Sequence, residues 1–316
     1  MNSYSVIIRT LTGGGKYQSL LESIARQTIA PQHIYVVLAH GYNPPKEQLG
    51  NEEFLYTEKG MWKQRIYGLE YPCDSTYLLV CDDDVCFDDN YVASMMEMAE
   101  RHRADALISI KDKTRSLPSK IVSAILGGRT ESKKSKYKIS INKTGSFCVN
   151  NYLKEEAVET QSAPFQCFLC RKDMIQDLHL KDEMWLDESP YALPDDQVFF
   201  FKAHCLGKRI FSTKKLSFTH LDGGSSSPGR RINSAVSSGR NYLIFWHRFL
   251  YSRAKGYNKL KLSLANKHRI IAGSIFYFAI GLRDRNLSLF KAYRKGVNDG
   301  YKFINSTAYT NLPHIK

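Results

Sequence analysis

Apolar and polar positions alternate in two rhythms along this chain, and the rhythm switches repeatedly. Short apolar runs within 5–9, 33–38 and 77–80 predict buried strands, because a strand covered on both faces has no polar side of its own. Between them, Leu20, Leu21 and Ile24 share one face of a helix predicted over 17–27, and a second helix is predicted over 61–70. A strand over 54–56, a helix over 91–100 capped by Asp89, and a strand over 107–110 continue the series. Strands and helices taking turns make the βαβ rhythm of a parallel sheet. The expected class is α/β, a mostly parallel sheet flanked by helices.

The pattern then weakens. Residues 111–144 are basic and poorly periodic apart from a helix over 117–126, and they read as a mobile insertion over the site. Beyond residue 233 the chain turns aromatic and basic, with helices predicted over 242–251 and 270–282. The second is too short for a bilayer, which takes about 20 apolar residues. Two domains follow from this reading: 1–228, an α/β catalytic domain with the 111–144 insertion, and 229–316, a basic helical extension.

Charge sharpens the division. Residues 229–316 hold 17 Lys and Arg against 2 acids, and 101–144 hold 12 against 3, so within a net +14 the remainder is acidic. Such asymmetry suggests a metal-binding body with separate surfaces for a polyanion. The aromatics of the basic segments sit on apolar helical faces and not interleaved as a platform for bases, so no nucleic acid is expected and an anionic membrane surface is the candidate partner. Helices packed on the catalytic domain, with their cations facing water, have comparable weight.

Seven scattered cysteines do not form a disulfide framework and suggest a reducing compartment. Cys167 and Cys170 have CxxC spacing, and His204-Cys205 would complete a zinc site, but no second CxxC exists and buried free thiols are expected. The N-terminus shows neither a basic nor a long apolar segment. The expected location is cytoplasmic, extending to the inner face of the cell membrane.

The chemistry begins where the strand over 77–80 runs through Cys81 into Asp82-Asp83-Asp84. Three adjacent carboxylates repel one another, and a divalent cation, Mg²⁺ or Mn²⁺, is the simplest compensation. Asp82 and Asp84, two apart, would both turn toward one ion. A second acidic element, Pro194-Asp195-Asp196, opens a helix; one acid would cap it and the other is available as a general base. His220 is a further metal or diphosphate candidate, and Arg230, Arg231 and Arg240 are candidate diphosphate clamps. Gly13-Gly14-Gly15-Lys16 lacks the flanking residues of a phosphate loop and reads as a tight turn.

Taken in order, the first strand, Leu20-Leu21-Glu22-Ser23-Ile24-Ala25-Arg26-Gln27-Thr28, Lys63-Gln64-Arg65 followed by Gly68, Leu78-Leu79-Val80-Cys81-Asp82-Asp83-Asp84 and Pro194-Asp195-Asp196 resemble family 2 glycosyltransferases of GT-A fold, of bacterial envelope or capsular type. The resemblance covers about 5–211. It implies a metal-dependent inverting transfer of sugar from a nucleotide diphosphate sugar to a hydroxyl of a glycan or lipid-linked acceptor. Carried over, Asp84 is the metal ligand, Asp82 and Asp83 are donor contacts with Arg65, and Asp196 is the base. Two departures stand out. Leu38-Ala39-His40-Gly41 replaces the strand end where the family has a uracil-reading aspartate, and Arg9, a further donor-contact candidate, stands where proline is common. Two alternatives remain open: a haloacid-dehalogenase-type phosphatase, whose nucleophile motif Asp82-x-Asp84 also matches, and a non-enzymatic polyanion binder.

Overall fold

The computed structural model describes residues 3–110, 115–221 and 228–315. The chain opens with β1 (Tyr4–Arg9), α1 (Gly15–Ala25), β2 (Ile34–Ala39), β3 (Glu52–Thr57), α2 (Met61–Glu70), β4 (Tyr77–Asp82), β5 (Val85–Phe87), α3 (Tyr91–His102) and β6 (Ala106–Ser109). There follow α4 (Leu117–Ile125), β7 (Thr130–Glu131), β8 (Ile139–Ile141), β9 (Phe147–Val149), β10 (Ala157–Glu159), β11 (Cys167–Arg171), α5 (Lys172–Asp177), a 3-10 helix (Leu180–Glu188), α6 (Asp195–Cys205), β12 (Ile210–Thr213) and β13 (Phe218–His220). The remainder is helical: α7 (Pro228–Trp246), a π-helical turn (His247–Tyr251), α8 (Gly256–Arg283), α9 (Ser288–Ile304) and α10 (Thr307–Thr310).

The sequence suggests a single boundary at 228, whereas the described residues divide into two interleaved units, each drawn from three stretches of chain. The first holds 3–110, 154–181 and 207–221; the second holds 115–153, 182–206 and 228–315. The insertion thus belongs with the C-terminal helices. From residue 115 it forms α4, β7 and β8, with β9 just beyond its end, and 111–114 lie outside the described residues.

In the first unit an eight-stranded sheet runs in the order β10-β12-β6-β11-β4-β1-β2-β3. Neighbours β4-β1, β1-β2, β2-β3 and β12-β6 are parallel, while β11 and β10 run against their neighbours. The α/β class holds, with a mostly parallel sheet. Every residue of β2 is buried, as its unbroken apolar run requires. Gly68 lets α2 press onto the sheet, since a Cβ there would come within 2.6 Å of Ile7 and 2.8 Å of Val37. Helix α3 begins after Asn90, and Asp89 pairs with Arg26 instead of capping it.

The second unit contains a small three-stranded sheet, β7-β9-β8, and the long helices. Helices α7 and α9 approach backbone to backbone. A Cβ on Gly239 would lie 2.5 Å from the Tyr293 carbonyl oxygen, so only glycine permits this spacing. Ala235, Leu243, Ala292 and Val297 fill the contact. Glu183, fully buried, accepts hydrogen bonds from Lys202 Nζ (2.8 Å), Arg248 Nε and Nη2 (2.8 and 2.9 Å) and Trp185 Nε1 (2.7 Å). One carboxylate thereby ties the 3-10 helix to α6 and to the π-helical turn.

Candidate functional site

The parallel register sets Arg9 beside Asp82, each the last residue of its strand, at the carboxyl ends where open α/β sheets bind ligands. Asp82 Oδ1 lies 3.5 Å from Arg9 Nη2 and 3.5 Å from Arg65 Nη2. Arg65 reaches this point from α2, almost fully buried, with its guanidinium 3.7 Å from the centre of the Phe165 ring. Arg9 keeps its Nε buried and without a hydrogen-bond partner among the described residues. Asp82, expected also as a metal ligand, therefore turns Oδ1 toward two cations.

Asp83 accepts a 2.5 Å hydrogen bond from the Thr10 hydroxyl. Burial pushes the Asp83 carboxyl above the usual range, Thr10 opposes that, and the charges of Asp84 and Asp82 add to the rise. Asp84 occupies the turn between β4 and β5. Antiparallel pairing of β13 with β5 sets His220 opposite Val85, which brings His220 Nε2 to 3.1 Å from Asp84 Oδ1. On its other side, His220 Nδ1 lies 3.3 Å from Gln166 Nε2. The first unit thus gathers Arg9, Arg65, Asp82, Asp83, Asp84 and His220 at one edge of its sheet. Thr10, Phe165 and Gln166 join them, and no spacing in the sequence marks these three.

In the second unit, Asp195 and Asp196 form the first turn of α6, and neither caps it from the N-cap position, which is Pro194. Asp196 Oδ1 accepts 2.7 Å from the Gln197 N–H. Burial and the nearby Asp196 charge push the Tyr242 phenol far up. Arg230 and Arg231 are exposed in the first turn of α7. Arg240, expected as a clamp, is instead buried: it donates to the Trp185 carbonyl oxygen (2.7 Å) and Asn241 Oδ1 (2.9 Å) and pairs with Glu188. Residues 222–227, just before α7, lie outside the described residues.

Two motifs are structural. Cys167 and Cys170 are buried free thiols on β11; three apart on a strand, they project to opposite faces and cannot share an ion. Gly13 and Gly14 have φ of 69° and 114°, and Gly14 N–H donates to the Glu47 carboxylate at 3.2 Å, so this turn already holds an anion of the chain's own. Among the described residues no cluster of three or more His, Cys, Asp or Glu stands ready for a metal ion, and no helix is long and apolar enough to cross a membrane.

No protein-family model and no curated protein matches the chain. Among solved structures, GalNAc-T7 with UDP, GalNAc and Mn²⁺ is similar with a TM-score of 0.51 at 14% identity over 90% of this chain, which spans 58% of the length of that one. S. aureus TarS 1-349 in complex with UDP gives 0.44 at 14% identity, covering 95% of this chain and 92% of its own. The first likeness is one of architecture. Strand order, flanking helices and C-terminal helical extension together make this a chain of GT-A glycosyltransferase fold.

Proposed function

We propose that the chain is a glycosyltransferase that moves a sugar, with inversion, from a nucleotide diphosphate sugar to a hydroxyl of a glycan or lipid-linked acceptor. The observation that carries this reading is the convergence at the carboxyl ends of β1 and β4. Asp82 sits between Arg9 and Arg65, and Asp84 sits against His220. The Asp84 carboxylate is an oxygen donor suited to Mn²⁺ or Mg²⁺, which are commonly held by one or two protein groups with phosphate and water completing the shell, and the adjacent His220 imidazole is a nitrogen donor that suits Mn²⁺ better than Mg²⁺. Asp84 and His220 would hold the ion, which when bound neutralises charge on the departing diphosphate. UDP, GalNAc and Mn²⁺, the ligands of the GalNAc-T7 structure, supply the first probes.

The chain's own residues supply the rest. Arg9 and Arg65 offer N–H donors to diphosphate or ribose, and their pairing with Asp82 holds them in place before the donor arrives. Asp83, held by Thr10, is a donor contact. Arg230 and Arg231, exposed at the start of α7, remain diphosphate candidates. Asp196 is assigned the base that takes the proton from the acceptor hydroxyl as it attacks the anomeric carbon and the diphosphate leaves from the opposite face. The phosphatase alternative expects its nucleophile on the first strand of its domain, whereas Asp82 ends the fourth. Calorimetric titration with a panel of nucleotide diphosphate sugars, with and without Mn²⁺, tests the proposal. Metal-dependent binding of at least one donor is expected, and binding of none overturns it.

A further inference from the structure

Helix α8 carries an apolar seam that is left uncovered among the described residues. Tyr257, Leu260, Leu264, Ile271, Ile275, Phe278 and Leu282 are all exposed, Tyr257 by 70% and Ile275 by 62%. Their spacings of three, four and seven stack them on a single stripe, about 37 Å long at the α-helical rise. The rest of the helix circumference buries Asn266, Arg269, Ile270, Ala272 and Gly281 against the second unit. So the seam is not an ill-packed core face; the helix has an inner side already satisfied and an outer side of Leu, Ile and Phe in water. An exposed apolar patch of this continuity marks an interaction surface.

Charge identifies the occupant. Within Gly256–Arg283 there are five Lys and Arg and no acid. At 100° per residue, Lys267 borders the seam on one side and Lys261 on the other, while Arg283 lies further round and pairs with Asp284 at 2.7 Å. A second copy laid seam to seam would set these cations against their own kind. An anionic surface would be attracted by them while its acyl region takes up the apolar stripe, which is the pattern of a helix lying in a membrane interface.

We propose that α8 seats the protein in the plane of an anionic lipid bilayer, its seam entering the boundary between headgroup and acyl chain and its bordering lysines meeting the headgroups. This deepens the reading of a lipid-linked acceptor under the proposed function, because a helix held in the interface keeps the enzyme where such an acceptor resides. Binding is nevertheless read without donor, acceptor or metal, so a failed transferase assay leaves it standing.

The test is co-sedimentation of the full chain with vesicles of phosphatidylcholine, alone or with a quarter phosphatidylglycerol, at low and high salt. The parent should bind the mixed vesicles, bind phosphatidylcholine alone weakly, and be released by salt. Leu264→Ser with Ile271→Ser and Ile275→Ser should lower the partition coefficient at least tenfold. Ile275→Ser alone, at a site already exposed, gives a smaller loss in the same direction and serves if the triple variant fails to fold. Absence of parent binding, or equal binding by the serine variants, overturns the proposal. A parent dimer by analytical ultracentrifugation that the serine variants dissociate also overturns it, by making the seam an interface between two copies.

Discussion

At the scale of single residues, the site separates into groups whose roles predict different failures. Asp84→Asn keeps the shape of the side chain and removes the charge a cation needs, so metal-dependent donor binding should be lost while the thermal transition stays within about 1 kcal/mol of the parent. His220→Gln should weaken metal binding without abolishing it, since Asp84 remains. Calorimetry with Mn²⁺ and donor reads both, and parental binding by Asp84→Asn would remove the central assignment. Asp196→Asn should leave donor and metal binding intact and lower kcat by about 10²-fold or more, because proton removal from the acceptor is lost. Asp195→Asn, one residue away on the same helix turn, is the control and should retain turnover. A collapse with Asp195→Asn alone would move the base by one position.

At the scale of elements, Glu183 shows how a single buried anion sets the stability of three segments. Burial alone would raise its carboxyl, but Lys202 and Arg248 outweigh that and hold it below the ordinary 4.5. A folded-state value below the unfolded one means stabilisation that is complete above the ordinary value and is lost as pH falls through the depressed one. Glu183→Gln should therefore cost about 3–5 kcal/mol near neutral pH, by leaving two buried cations without their anion, and the acid limb of its stability curve should be shallower below pH 4.5 than the parent's. Denaturant titrations at several pH values measure both effects. An unchanged acid limb would mean that other carboxylates control acid unfolding.

Elements also differ in how legible they are in the sequence. The strands β1, β2 and β4 and the helix α2 follow from apolar runs and one-sided periodicity, and the acidic triplet at the end of β4 is marked by its own repulsion. Strand β11 does not announce itself: it is buried on both faces, so no alternation shows, and its CxxC spacing points to ligands instead. Helix α9 is hidden because Gly296 and Gly300 look like breakers, whereas both are there to admit α7 at close range. Arg9 is visible only as an oddity. What makes it a neighbour of Asp82, 73 positions on, is the parallel register, and register is a property of pairing that neither strand carries alone. The same holds for His220, which reaches Asp84 through the β13-β5 ribbon.

At the scale of the whole molecule, the interleaving of the two units changes how its parts are to be tested. Removing 256–316 would take α9 away from α7 and expose Ala235 and Leu243, so loss of vesicle binding by such a truncation would report damage as readily as detachment. Substitutions along the exposed seam avoid that. The uneven charge, legible from composition, acquires its meaning only once α8 is seen to turn an apolar stripe outward between its cations. Composition does not say which face of a helix is already taken.

The strand order carries a consequence for how the protein is made. Strand β11 lies between β4 and β6 and pairs with both, yet it follows β6 in the chain by some sixty residues, and β12, which pairs with the other edge of β6, comes later still. At synthesis rates of about 5–20 residues per second, the ribosome exposes β4 and β6 for roughly 3–12 seconds before the strand that joins them emerges. For that interval two apolar edges stand open, the situation in which β-proteins pair wrongly. Ribosome-bound chains stalled with 150 residues exposed should thus be cut freely by protease and captured by chaperones, and chains with 230 residues exposed should resist in the segment 3–110; protection already at 150 would mean that β4 and β6 find shelter without β11.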